Sequence, residues 1–244
     1  MKKKLLLFDV DGTLTPSRKK IEKTMIEMLE KLHYNQNYII GFVGGSNLEK
    51  QHEQLGNAIN YFKYWFPENG LVAYENKEEF YKSNLLDFFG EEKLQSFISF
   101  VLSYIANLEI PIKRGTFFEY RTGLINISPI GRNCSQEERD NFEKYDRKHN
   151  IREKMIKSIK REFQELDLHY SIGGQISFDV FPKGWDKTFC LNHFNLDLFE
   201  EVHFFGDKVE KGGNDYELYN DQRVTGHKVT SPKDTLKIVE DMLR

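Results

Sequence analysis

The sequence predicts an α/β protein whose parallel-sheet core is interrupted by an inserted α+β domain with an antiparallel sheet. Three observations predict this. Residues 4–10 form an apolar run with the length of a buried parallel strand. Strands and helices then alternate to about residue 60, the pattern of a parallel α/β sheet. Between about 83 and 185 the order changes to helix, hairpin, helix, strand, and after Trp185 the first pattern returns.

The elements follow in order. After the first strand, Ile21, Met25, Met28, Leu29 and Leu32 recur at helical spacing. Tyr38 to Val43 reads as a second strand, ended by Gly44-Gly45-Ser46, and Asn47 is placed to cap a helix carrying Leu48 and Leu55. Leu94, Phe97, Ile98, Val101, Leu102 and Ile105 make the apolar face of a long helix. Thr116 to Tyr120 and Leu124 to Ser128 are short strands around Arg121-Thr122-Gly123, a hairpin signal. Ile151, Met155, Ile159 and Phe163 mark another helix, and His169 to Phe181 reads as one half-buried strand. Glu201 to Gly206 is a strand, a helix starts at Gly212-Gly213-Asn214-Asp215, His227 to Thr230 is a short strand, and Pro232 to Leu243 closes the chain as a helix. The predicted core is therefore 1–82 with 186–244, and the insert 83–185, with hinges at Lys82-Ser83-Asn84 and Pro182-Lys183-Gly184.

Composition narrows the function. The 244 residues are 39% hydrophobic and 30% charged, enough apolar material for a real core. A net charge of -3 argues against a nucleic-acid coat or a membrane-surface protein. No run approaches the roughly 18 apolar residues of a membrane span, and the apolar stretch near the N-terminus breaks at Asp9, too early for a signal peptide. The two cysteines, Cys134 and Cys190, allow one bridge at most, which fits a reducing compartment. Nothing in the spacing of the seven histidines suggests a transition-metal site.

The chemistry gathers at strand ends. In Asp9-Val10-Asp11-Gly12-Thr13, two carboxylates at i and i+2 point to one side of an extended chain. At the carboxyl end of a parallel strand they face the crevice where α/β proteins bind ligands. Two desolvated like charges need a cation, and oxygen ligands with room for phosphate suit Mg²⁺. An Asp-Gly turn that merely ends a strand is the plainer alternative. Ser46 and its neighbouring amides close the second strand where a phosphate can be held. Asp207 ends a later strand and Asp215 follows, while Lys187, on its own an ordinary surface charge, gains meaning from this company. The insert carries Arg114, Arg121, Arg132 and Arg139, whose forks match phosphate oxygens but are equally compatible with a solvated surface. Ser177 and Asp179 share a strand face opposite Ile176, Phe178 and Val180, with Gln175 beside them; the face suits solvent or sugar hydroxyls.

In order, Asp9-x-Asp11-Gly-Thr, Ser46, Lys187 and Asp207 with Asp215 resemble the four motifs of the haloacid-dehalogenase (HAD) phosphotransferase superfamily. Within it, the chain is similar to the eukaryotic-type phosphomannomutases, over nearly its whole length. The similar stretches are 7–15, 43–46, 66–74, 127–139 and 171–182, and those inside the insert are the more specific. The resemblance implies a HAD-like Rossmannoid core with an inserted cap domain that binds substrate and forms a homodimer. It implies a Mg²⁺-dependent cytoplasmic isomerase interconverting mannose 6-phosphate and mannose 1-phosphate, with side activity on glucose phosphates. Such an enzyme is activated by hexose 1,6-bisphosphate, passes through an aspartyl phosphate, and supplies GDP-mannose biosynthesis for glycosylation; hexose monophosphates are its partners, not nucleic acid or membrane. Carried over by position, Asp9 is the nucleophile, Asp11 the general acid/base, and Lys187 and Ser46 hold the transferring oxygens. Asp9, Asp11, Asp207 and Asp215 belong to the metal site, and Tyr219, Asp221 and Val224 to a second cation position. Arg18, Arg121, Arg132, Arg139, Ser177, Asp179 and Gln175 bind substrate. The chain departs from the family pattern at Val209 and Val224, where Thr is usual. A phosphatase on the same scaffold and a non-catalytic sugar-phosphate binder are the competing readings.

Overall fold

The structure, a computed structural model, describes residues 2–244. The chain begins with β1 (Lys3–Phe8), whose side chains alternate between two buried faces: Leu6 and Phe8 enter one core, Leu5 and Leu7 the other. A strand buried on both sides is apolar throughout, which is why it was legible as a continuous run. Helix α1 (Lys23–Tyr34) covers the first face with Met25, Met28, Leu29 and Leu32. Strand β2 (Tyr38–Val43) runs parallel to β1. Helix α2 (Leu48–Leu55) starts as expected, with the Asn47 side chain accepting a 3.2 Å bond from the Lys50 N–H.

Beyond α2 the sheet gains three more strands, none of which shows in the sequence pattern. Strand β3 (Tyr64–Phe66) joins the sheet in parallel, and β4 (Val72–Glu75) and β5 (Glu78–Lys82) extend it antiparallel. A two-residue turn at Asn76 and Lys77, both with positive φ, links the last two. Every residue of β5 is exposed, so no apolar alternation announces it, and Glu78, Glu79 and Lys82 guard the open edge.

Residues 83–183 form a compact unit of their own. In it α3 (Leu85–Phe89) and α4 (Glu91–Asn107) precede β6 (Phe118–Tyr120) and β7 (Ile125–Ile127). Helices α5 (Gln136–His149) and α6 (Ile151–Glu162) follow, then β8 (Leu168–Gly173) and β9 (Ser177–Pro182). The sheet is antiparallel throughout, in the order β6-β7-β9-β8. Two expectations are corrected. The single strand expected from 169 to 181 is a hairpin, turned at Gly174-Gln175-Ile176 with Gly174 in the left-handed region. Helix α5 was overlooked because it buries only Phe142 and Asp146, although Ser135 and Glu138 form a full capping box at its start.

The other unit is completed when the chain returns. Lys187–His193 makes a 3₁₀ segment; β10 (Phe199–Gly206), α7 (Tyr216–Tyr219), β11 (Thr225–Lys228) and α8 (Pro232–Met242) follow. The seven-stranded order is β11-β10-β1-β2-β3-β4-β5, with the first five parallel. Among the described residues, this unit comprises 2–82 and 184–244. Trp185, assigned to the insert by sequence, lies in it: its carbonyl accepts from Asn69 Nδ2 at 3.4 Å and its ring meets Phe189 edge-on. Among the described residues, no helix is long and apolar enough to cross a membrane. Cys134 and Cys190 are both buried and unbridged.

Candidate active site

Strand β1 is flanked by β10 and β2, so its carboxyl end sits in the middle of the parallel sheet. Asp9 stands there, its N–H donating to the Phe205 carbonyl of β10 at 2.9 Å. The chain then folds back on itself. The Val10 carbonyl accepts from the N–H groups of Leu14 and Thr15 at 3.0 Å each, and Gly12 N–H donates to the Thr15 carbonyl at 2.7 Å. Gly12 has φ +85°, open to glycine at little cost. A Cβ there would also collide with the Asp207 carboxylate. Gly206 has a similar role: its Cβ would come within 2.8 Å of the Asp215 carboxyl. Two glycines thus make room for two carboxylates.

Lys187, wholly buried, connects the group. Its ammonium donates to Asp9 Oδ1 and, at 2.5 Å, to Asp215 Oδ1. Asp215 Oδ2 accepts from the Lys208 backbone N–H at 3.0 Å. Asp186 caps the Lys187–His193 segment, accepting from Thr188 N–H at 2.8 Å, and so fixes where the lysine starts. Oxygens of Asp9, Asp207 and Asp215 lie within 4.8 Å of one another, the only such gathering of potential ligands among the described residues. Asp207 Oδ1 is buried and has no hydrogen-bond partner among the described residues.

The electrostatics follow from this packing. Burial pushes the Asp9 carboxyl up to about 7, with the charges of Asp215 and Asp207 adding to the rise and Lys187 opposing it. Burial also raises Asp207, helped by Asp215. For Lys187, burial alone would favour the neutral amine, but the charges of Asp9 and Asp215 outweigh it and hold the ammonium. Three carboxylates gather here, and the Lys187 ammonium bonds only Asp9 and Asp215. The unpaired Asp207 oxygen and the all-oxygen donor set fit a hard divalent cation.

Asp11, two residues past Asp9, is held by one oxygen. Its Oδ1 accepts from Gln54 Nε2 at 2.8 Å and from the Arg18 N–H at 2.7 Å, leaving Oδ2 for other partners. Arg18 itself is exposed, with φ +59°. Asp9, Asp11, Ser46, Gln51, Gln54 and Asn214 are among the residues lining a pocket of about 100 Å³. Gln54 escaped the sequence reading. Its only sequence signal is a polar residue on the buried side of α2, one turn after Gln51.

In the 83–183 unit, Arg121 and Arg132 both contact Glu119 Oε2, at 3.0 Å each. Those arginines hold the Glu119 carboxyl below its ordinary range, the Arg121 bond foremost. Arg132 Nη1 also donates to Asn126 Oδ1 at 2.6 Å, and Asn126 Nδ2 donates to Asp179 Oδ1 at 2.7 Å and Ser177 Oγ at 3.1 Å. Arg139 Nη2 donates to the Arg132 carbonyl at 2.8 Å. Three arginines, Ser177 and Asp179 therefore belong to one network. Its centre, Asn126, was missed although it opposes Asp179 across β7 and β9 and interrupts the apolar run Ile125–Ile127. Gln175 does not join it. It sits in the β8–β9 turn, off the strand face, and its amide is taken up by Asp140 (2.7 Å), Glu143 (3.0 Å) and Gln136 (3.0 Å) of α5. Arg114 is likewise occupied, by Glu138 at the start of α5.

Tyr219 ends α7, Asp221 and Val224 lie on the loop from there to β11, and Val224 N–H donates to the Asp221 carbonyl at 3.1 Å. The Asp221 carboxylate is gripped by the Arg223 guanidinium through Nε at 2.8 Å and Nη2 at 2.7 Å, which holds it below the usual carboxylate range. A cation at that position has to share the carboxylate with Arg223.

A parallel core carrying an α+β insert, with acidic residues at the ends of β1 and β10, defines an enzyme of the capped HAD class. A solved trehalose-6-phosphate phosphatase of Aspergillus fumigatus shares the fold, with a TM-score of 0.62 at 14% identity over 99% of this chain and 92% of that one. The chain belongs to the eukaryotic phosphomannomutase family, whose model matches residues 25–244. Phosphomannomutases of Dendrobium officinale and Saccharomyces cerevisiae are 59% and 52% identical to it. The first alignment covers 95% of this chain and 90% of the relative, the second 98% and 93%. The chain is accordingly an isomerase of the phosphotransferase kind.

Proposed function

We propose that this enzyme interconverts D-mannose 6-phosphate and α-D-mannose 1-phosphate through a phosphorylated Asp9, primed by hexose 1,6-bisphosphate. The observation that carries the reading is the buried cluster in which Lys187 holds one oxygen of Asp9 and Asp207 keeps an unpartnered oxygen beside it. With Oδ1 on Lys187, the other Asp9 oxygen is left to attack phosphorus. The bond from phosphorus to one sugar oxygen of the bisphosphate breaks as the Asp9–phosphorus bond forms, and Asp11 gives its proton to the departing oxygen, leaving a hexose monophosphate. In the second half, Asp11 takes the proton of the incoming sugar hydroxyl, and the phosphoryl group passes to that oxygen. Gln54 and the Arg18 N–H fix one Asp11 oxygen, so Oδ2 carries the proton. Ser46 and Lys187 bind the transferring oxygens.

Asp9, Asp207 and the Asp11 carbonyl, with Asp215 behind them, would hold Mg²⁺, which when bound neutralises charge on the phosphoryl oxygens. Tyr219, Asp221 and Val224 are the proposed second cation position. Arg18, Arg121, Arg132, Arg139, Ser177 and Asp179 would grip the sugar and the phosphate that is not reacting; Gln175 would act only through α5. The insert would serve as the cap and as the surface of a homodimer. Glucose phosphates are proposed side substrates, and the product would feed GDP-mannose synthesis for glycosylation. Two unbridged cysteines support a cytoplasmic setting.

Phosphorus NMR of mannose 1-phosphate with Mg²⁺ and bisphosphate tests the reading. Growth of the 6-phosphate signal is expected; release of inorganic phosphate instead identifies a phosphatase. Gly12→Ala is expected to raise the Mg²⁺ concentration needed for half-maximal activity about tenfold or more, since a methyl there displaces Asp207 and strains a positive-φ site. An unchanged Mg²⁺ titration would remove Asp207 from the metal site. Arg132→Ala is expected to cut mutase turnover about a hundredfold while hydrolysis of a one-phosphate ester falls far less. Equal losses would show that Arg132 only supports the insert's sheet.

A further inference from the structure

The α2 helix places two glutamines on one buried face, a turn apart. Gln54 spends its amide on Asp11 and Thr15. Gln51 spends its amide on nothing. It is 1% exposed, yet neither Nε2 nor Oε1 has a partner among the described residues. An amide buried in this way is unfavourable for the fold unless a bound group completes it. Its position says where that group lies. Gln51 lines the same pocket as Asp9, Asp11 and Ser46. It lies across Gly44, where a Cβ would come within 2.5 Å of Nε2, so glycine is what lets the amide reach this place.

We infer that Gln51 is a further phosphoryl-binding residue of this site, its Nε2–H donating to a non-bridging oxygen of the group carried to and from Asp9. The inference rests on the proposed phosphotransfer at Asp9 and adds an amide donor to the Lys187 ammonium and the Ser46 hydroxyl already described. An uncharged donor suits this wall: it binds an oxygen without competing with Lys187 for the Asp9 carboxylate. The Gln51 Oε1 is free at the same time to accept from a substrate hydroxyl or a water in the pocket.

The role makes a distinctive pattern of effects. Gln51→Leu keeps the size of the side chain and removes the unpaired polar atoms. The ligand-free protein should therefore melt a few degrees higher than the parent. The same variant, loaded with Mg²⁺, should bind inorganic phosphate about tenfold more weakly by calorimetry, with KM for mannose 1-phosphate rising to match. Gln51→Glu sets a carboxylate against the phosphoryl oxygens and should abolish phosphate binding while circular dichroism stays unchanged. Undiminished phosphate binding by the Leu variant, or a lower melting temperature for it, overturns the inference and makes Gln51 a packing residue. Failure of the parent enzyme itself to bind phosphate with Mg²⁺ would instead count against the phosphotransfer reading.

Discussion

Asp9→Asn abolishes turnover, by about 10⁴-fold or more in a coupled assay, while the protein keeps its fold. The amide has nearly the shape of the carboxylate but cannot form the acyl phosphate. The fold survives for a reason visible in the cluster. Burial and the charges of Asp215 and Asp207 already work against an ionised Asp9. Neutralising it relieves that repulsion, and Lys187 keeps Asp215 as its partner. The melting temperature without divalent cations is therefore expected to equal or exceed that of the parent. Mg²⁺ should stabilise the variant less than the parent, because one ligand is weaker. Acid quenching after incubation with labelled bisphosphate should trap label on the parent and none on the variant. Substantial activity in Asp9→Asn would refute the nucleophile.

Lys187→Met has the opposite balance. It removes a fully buried ammonium and leaves Asp9 and Asp215 facing each other without it. Breaking a buried pair from one side costs about 3–5 kcal/mol, which for a protein of this size lowers the melting temperature by roughly 6–20 °C. Activity should fall about a thousandfold as well, through loss of a charge on the transferring oxygens. The pH dependence carries a sign. Asp9 sits well above its ordinary value even with Lys187 present, and losing the lysine raises it further. The folded state then binds more protons than the unfolded one between the ordinary carboxylate range and about 7 or above, so stability grows as pH falls through that window. Lys187→Met should accordingly melt higher at pH 6 than at pH 8. A variant that melts like the parent, with no such pH trend, would show that the ammonium is not what keeps these carboxylates together.

The legible parts of the fold share a physical cause. Strands buried on both faces, such as β1 and β2, announce themselves as apolar runs; β2 has the bounds its run suggests, while β1, read as 4–10, ends at Phe8 before the first carboxylate. Asp9 and Asp11 stood out as paired carboxylates just past one buried strand, and Asp207 as a carboxylate just past another. What stayed hidden depends on contacts between distant positions or on elements with little apolar signal. Strand β5 buries nothing, α5 buries two side chains, and the β8–β9 turn lies inside a stretch whose flanks alternate like a single strand. Gln54 reaches Asp11 across 43 positions, and Asn126 reaches Asp179 across 53. No local pattern encodes either pairing. Gln175 shows the converse: its place beside Ser177 and Asp179 in sequence suggested a shared face, but a turn sends it to α5.

The neighbours of β1 come from opposite ends of the chain, β2 directly after it and β10 near the close. On the ribosome, at about 5–20 residues per second, roughly ten to forty seconds separate the emergence of Asp9 from that of Asp207. Throughout that interval one edge of a strand buried on both faces lacks its mate, an open invitation to intermolecular pairing. The insert, a compact unit built from one continuous stretch, is free to fold while the nascent core waits. Yield from a cell should therefore depend on translation speed and chaperone supply, and a chain stopped short of β10 should be degraded or aggregate rather than persist as a half-built enzyme.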